Sequence, residues 1–121
     1  MPGATHEILI VENDQLTAEL YRRELSREYE VFTCTDERAA LDLLSARSIS
    51  VVVLEPALGG GQGWQLLSTI RDAYNRHIPI ILCSTLDERG RGMGLGAAAY
   101  LVKPALPTTL RETVRRVMLQ D

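Results

Sequence analysis

The sequence predicts a doubly wound α/β domain, and three observations predict it. Runs at Ile8 to Val11, Val51 to Leu54 and Ile80 to Cys83 are apolar throughout. Segments with helical spacing separate them, and each run stops abruptly at polar residues. Strands without alternation are buried on both faces, and right-handed crossovers between parallel strands place helices on both sides of the sheet.

Taken in order, Ile8 to Val11 forms strand one and ends in Glu12, Asn13 and Asp14. Asp14 or Asn13 caps a first helix in which Leu16, Leu20 and Tyr21 share a face that Leu25 continues. Tyr29 to Thr33 is strand two, and about Asp36 to Arg47 is helix two, with Ala40, Leu41 and Leu44 inward. Val51 to Leu54 is a central strand. Gly59 to Gly63 make a strand-to-helix turn, without the lysine of a phosphate-binding loop. Helix three follows from Trp64 to Tyr74 through Leu67, Ile70 and Ala73. Pro79 to Cys83 is strand four. Helix four runs from Thr85 to about Leu95, opened by a capping box of Thr85 and Glu88. Gly90, Gly92, Gly94 and Gly96 weaken it, each costing about 1 kcal/mol relative to Ala inside a helix. Tyr100 to Val102 is strand five, and Pro107 to Leu119 is helix five, with Leu110, Val114, Val117 and Met118 inward.

The 121 residues suit one domain, with residues 1–6 as a flexible tail. Hydrophobic residues make up 45% and charged residues 24% of the chain, which places it among globular rather than disordered proteins. A net charge of −3 supplies no field to gather phosphate backbones or anionic lipid, so direct nucleic-acid or membrane binding is not expected. Arg111, Arg115 and Arg116 suit the negative end of a helix dipole. Cys34 and Cys83 lack a CxxC pattern and read as small core residues rather than zinc ligands. His6 and His77 are isolated and expected at the surface. Met1 to Glu7 shows no secretory signal, and no apolar run is long enough to span a bilayer, so a reducing cytoplasm is expected.

In doubly wound sheets ligands bind outside the carboxyl ends of the strands. Strand one ends in Glu12, Asn13 and Asp14, strand three in Glu55, strand four in Ser84 and strand five in Lys103 before Pro104. Carboxylates take a divalent cation while an ammonium and a hydroxyl take an oxyanion, which outlines phosphoryl chemistry.

The segments I-L-I-V-E-N-D, V-V-V-L-E, G-Q-G-W, P-I-I-L-C-S-T and G-A-A-A-Y-L-V-K-P, in that order, resemble the receiver domain of bacterial two-component response regulators from about Glu7 to Met118. The resemblance implies a flavodoxin-like five-stranded parallel sheet of order 2-1-3-4-5 with helices on both faces. It also implies phosphoryl transfer from a histidine kinase to an aspartate after strand three, with Mg²⁺ as cofactor. Carried over, the acidic pair falls on Glu12 and Asn13 and the phospho-acceptor on Glu55. The metal-binding carbonyl falls on Ala57, the switch hydroxyl on Ser84, the switch aromatic on Tyr100 and the phosphate-binding lysine on Lys103, whose bond to Pro104 is commonly cis in the family.

Two positions depart from that pattern. Glu55 stands where the family has aspartate, and its extra methylene moves the carboxylate by about 1.5 Å. Misplacement by about 1 Å can cost on the order of 10²-fold in rate, so catalysed phosphorylation is expected to be poor. The longer carboxylate is expected instead to reach toward Ser84 and Lys103. Asn13 replaces a carboxylate that the resemblance makes a direct Mg²⁺ ligand, so the set of Glu12, Asn13, Glu55 and Ala57 is expected to bind Mg²⁺ weakly or not at all. Asp14 is a substitute ligand or, as a stronger reading, the cap of helix one. A family proline is replaced by Gly59, which loosens the loop.

The resulting expectation is a degenerate receiver, a pseudo-receiver that is not itself an enzyme and acts as a phosphorylation-independent interaction module. Its partner is a histidine kinase, effector domain or downstream protein, or a second copy in a homodimer, meeting the face of helix four, strand five and helix five. Trp64 packs at the core edge or anchors a partner. The alternatives are a Mg²⁺-dependent phospho-acceptor using Glu55 and, from another class, a small flavin- or nucleotide-binding α/β domain.

Overall fold

The computed structural model describes residues 5–73 and 78–119. Most of the expected tail, Tyr74 and His77 lie outside the described residues. The elements run β1 (Glu7–Val11), α1 (Gln15–Leu25), β2 (Glu30–Cys34), α2 (Glu37–Ala46), β3 (Ile49–Leu54), α3 (Leu58–Ala73), β4 (Ile80–Ser84), α4 (Arg89–Gly94), β5 (Ala99–Val102) and α5 (Pro107–Met118). All strand pairs are parallel, in the order β2-β1-β3-β4-β5. The strand order reverses between β1 and β3, the point at which doubly wound sheets open a crevice for ligands.

Alternate side chains of each strand enter different cores. Ile8, Ile10, Val51, Val53 and Ile81 meet Tyr21 and Leu25 of α1 and Leu110, Val114 and Val117 of α5. Leu9, Val11, Val52, Leu54, Ile80 and Leu82 face Ala40 and Leu44 of α2 and Trp64, Leu66, Leu67 and Ile70 of α3. Burying an aliphatic side chain of this kind contributes about 1.5–3 kcal/mol, so the two-sided packing accounts for strands that read as unbroken apolar runs. Trp64 is buried at the edge of this second core, which bears out core-edge packing.

Asp14 caps α1 by accepting a hydrogen bond from Thr17 N at 2.9 Å, and Asp36 caps α2 through Ala39 N at 2.8 Å. The buried stripe of α1 is Ala18, Tyr21 and Leu25. Leu16 and Leu20, expected inward, are 71% and 47% exposed. Tyr21 and Leu25 of the expected face are buried, joined by Ala18 in place of Leu16 and Leu20.

Helix four is also shorter than expected. It begins at Arg89, and Glu88 makes no side-chain capping bond. Instead Tyr100 reaches into the preceding turn, its hydroxyl donating to Leu86 O at 2.5 Å and accepting from Glu88 N at 3.1 Å. This tertiary contact replaces the local capping box of Thr85 and Glu88.

Gly59, Gly60 and Gly61 at the start of α3 have φ of 54°, 73° and 108°. These left-handed values exclude the family proline at position 59, since proline fixes φ near −65°. Gly63 then lies so close to the end of β3 that a Cβ there would stand 2.3 Å from the Glu55 carbonyl oxygen. His6 is exposed, with Nδ1 3.2 Å from Ser50 Oγ. Cys83 is buried and Cys34 half-buried, both as free thiols. Arg111 and Arg115 have partners beyond a helix dipole: Arg111 pairs with Glu24 and Glu28, and Arg115 with Glu28, tying α5 to α1 and the turn after it.

Candidate functional site

The backbone ladder brings the polar strand ends together. Glu12 N donates to Cys34 O and Glu55 N to Val11 O, each at 3.0 Å, while Lys103 N donates to Ser84 O at 2.8 Å. Each residue is thus held one step beyond its strand, where the sheet stops and the side chains converge. The Lys103–Pro104 bond is cis.

Lys103 Nζ lies 2.6 Å from Glu12 Oε1 and 2.8 Å from Glu55 Oε1. Both carboxylates are nearly buried, with 4% and 7% of the residue exposed, and the Lys103 side chain that pairs them is half-buried. Such charges persist out of water only when paired and hydrogen-bonded. The remaining oxygens meet that condition: Glu12 Oε2 accepts from Asp14 N and Glu55 Oε2 from Ala57 N, both at 2.9 Å. Burial by itself pushes the Lys103 ammonium down, but hydrogen bonds and charge from Glu12 and Glu55 outweigh it and hold the group above the usual lysine range.

The longer Glu55 side chain therefore meets Lys103, as its reach suggests. It does not also engage Ser84, whose Oγ accepts from Leu86 N at 3.4 Å while the second Glu55 oxygen takes the Ala57 amide. Ser84 itself is buried. Tyr100 is buried and committed to the turn before α4. Asn13 is exposed beside the cluster. Asp14 spends its carboxylate on Thr17, and those hydrogen bonds, from side chain and backbone, lower its pKa.

Among the described residues no three His, Cys, Asp or Glu side chains gather in a metal-holding group. Glu12 and Glu55 would be the ligands of a divalent cation, with Asn13 and the Ala57 carbonyl beside them. Both acids share one internal cation, Lys103 Nζ.

Comparisons with known proteins place this geometry. The response regulator receiver domain model matches residues 8–115. The chain belongs to the response regulator receiver domain family. This receiver domain is 34% identical over 118 residues to the transcriptional regulatory protein HprR of Escherichia coli K12, covering 94% of this chain and 52% of HprR. It is 31% identical over 113 residues to the response regulator PleD of Caulobacter vibrioides, covering 89% of this chain and 25% of PleD. The chain thus spans about half or less of these curated relatives. Among solved structures, the chemotaxis response regulator CheY4 of Vibrio cholerae superposes with a TM-score of 0.85 at 25% identity, covering 94% of this chain and 99% of that one. A CheY-like receiver domain protein of Methanospirillum hungatei JF-1 gives 0.86 at 21%, covering 95% and 94%. The flavin- or nucleotide-binding alternative has no support from these relatives.

Sequence reasoning singled out each member of the receiver domain's cluster but missed two side-chain contacts around it. Tyr21 Oη lies 3.5 Å from Cys83 Sγ beneath the site, and burial together with this contact raises the phenol pKa well above its ordinary value. The Arg91 guanidinium stacks 4.0 Å from the centre of the Trp64 ring. Neither contact carries a local sequence signal. No helix among the described residues is long and apolar enough to cross a membrane.

Proposed function

We propose that this receiver domain acts as a protein-interaction module whose state does not depend on phosphorylation. The observation that carries the reading is the placement of Lys103 Nζ within hydrogen-bond distance of both Glu12 and Glu55. A phospho-acceptor needs a carboxylate oxygen free to attack and a cation to neutralise the incoming phosphoryl oxygens. Here both Glu55 oxygens are engaged, and the two acids that would hold Mg²⁺ are both hydrogen-bonded to the Lys103 ammonium. Mg²⁺ binding is accordingly weak or absent, and the domain is not an enzyme in its own right.

The partner is a protein: a histidine kinase, an effector domain, a downstream component or a second copy. It meets the face of α4, β5 and α5 in a bacterial cytoplasm. A second reading, Mg²⁺-dependent phosphorylation of Glu55, is favoured by the retention of Ser84 and Lys103 at their strand ends.

Intact-mass measurement after incubation with acetyl phosphate and Mg²⁺ separates the two. The proposal expects no phosphoryl adduct, and near-complete labelling mapped to Glu55 overturns it. A Mg²⁺ titration followed by amide shifts at Glu12 and Glu55 tests the cation site directly. Sub-millimolar binding contradicts the reading.

A further inference from the structure

Helix α4 has little of its own to hold it. It is six residues long, from Arg89 to Gly94, and contains Gly90, Gly92 and Gly94. Helices this short are not stable alone, and no side chain caps its start. The buried residue of α4 is Gly92, seated against Leu82 and the Tyr100 ring. Arg91 sends its guanidinium across to α3, over the face of Trp64 at 4.0 Å, while Glu88 lies 3.5 Å from the same group. A guanidinium over an indole is attracted by the negative face of the ring.

Trp64 is in turn close to the candidate site. It follows Gly63, and a Cβ at Gly63 would lie 2.3 Å from the Glu55 carbonyl oxygen and 2.5 Å from Pro56 Cα. The start of regular α3 is therefore in backbone contact with the end of β3. A displacement of the Glu55 backbone has to be passed to Gly63 and Trp64, because close-packed backbone leaves no room to absorb it.

We propose that the Arg91–Trp64 stack is a latch that couples the Glu55 end of β3 to α4 through α3. This route is separate from the Tyr100 hydroxyl, which holds the turn before α4 from β5. In this arrangement a change at the carboxylate–lysine cluster alters the seating of Trp64, and Arg91 converts that change into docking or release of a marginal helix. The inference holds for a phosphorylated or a phosphorylation-independent site.

The test is amide hydrogen exchange at Gly90 to Gly94, read by NMR together with Trp64 fluorescence, on the purified domain. The set is wild type, Arg91→Gln, Glu88→Gln, Glu55→Gln and the Arg91→Gln/Glu55→Gln double variant. Glutamine matches arginine in helix propensity, so Arg91→Gln removes the stack without weakening the helix intrinsically. It should speed α4 exchange by about 2- to 5-fold and change Trp64 emission. Glu88→Gln removes an ion pair but keeps the stack, and should leave Trp64 emission as in wild type. Glu55→Gln should speed α4 exchange in the wild-type background and do so less in the Arg91→Gln background, a non-additivity that marks coupling. Unchanged α4 exchange in Arg91→Gln overturns the latch. Additive effects of Glu55→Gln and Arg91→Gln overturn the route through α3.

Discussion

Glu12 and Glu55, on adjacent strands, use their carboxylates in the same way: each gives one oxygen to Lys103 Nζ and the other to the backbone N–H two residues further on. The symmetry makes Lys103 the shared counter-ion of two buried acids.

Lys103→Met should therefore be more damaging than loss of either acid. It strands two buried carboxylates without a cation, which costs about 3–5 kcal/mol. Glu55→Gln leaves the ammonium paired with Glu12 and should cost about 1–3 kcal/mol. Urea denaturation of both variants checks the order, and a Lys103→Met protein at least as stable as Glu55→Gln contradicts the shared counter-ion.

The glycines of α4 should respond to alanine with opposite signs. A Cβ at Gly90 or Gly94 meets nothing within 4 Å, so alanine there should stabilise by about 0.5–1 kcal/mol through helix propensity. At Gly92 the added Cβ would stand 2.6 Å from Leu82 Cδ1 and 3.0 Å from Tyr100 Cδ2. Overpacking of this kind costs about 1–3 kcal/mol. Thermal melts of the three single variants give the comparison.

Removing the Tyr100 hydroxyl with Tyr100→Phe leaves the ring in the core and deletes its bonds to Leu86 O and Glu88 N. Stability should fall by about 1 kcal/mol, and amide exchange in the turn at Leu86 to Glu88 should rise while the β-sheet amides keep their protection.

Cys34 should be a slow thiol. Burial, reinforced by the nearby Asp36 carboxylate, pushes its pKa from 9.0 up to about 11. The thiol should react with iodoacetamide at pH 8 far more slowly than in the urea-unfolded chain, because the thiolate is the nucleophile. The folded value is the higher one. This group's contribution to stability is therefore complete below about pH 9 and is lost as the pH rises through about 11. Equal alkylation rates in folded and unfolded protein would falsify the assignment.

The strands and the cluster were legible because they depend on local signals. Ile8 to Val11 and Val51 to Leu54 can only be buried runs, and each is followed at once by the acid that the sheet delivers to Lys103. Asp14 was legible as a cap because the bond it makes is to a residue three positions on. What escaped notice depends on tertiary geometry. Leu16 and Leu20 fit the helical face of Tyr21 and Leu25 as well as Ala18 does, yet Ala18 is buried with those two while both leucines are exposed. Thr85 and Glu88 have the spacing of a capping box, but Tyr100, distant in sequence, takes the Glu88 amide. The engagement of the second Glu55 oxygen by Ala57 N rather than Ser84 follows from the tight turn after β3, which composition does not specify.

The seam between α1 and α5 bears on how this chain acquires its structure. Leu110, Val114 and Val117 complete the core that Ile8, Ile10, Val51, Val53 and Ile81 begin, and Arg111 and Arg115 bind Glu24 and Glu28 at the far end of the sequence. During synthesis, the part of this sheet face that α1 does not cover stays open to water until α5 has left the ribosome. A chain arrested within α5 therefore presents the aliphatic side chains that Leu110, Val114 and Val117 would cover, and its alternatives are to wait on a chaperone or to aggregate.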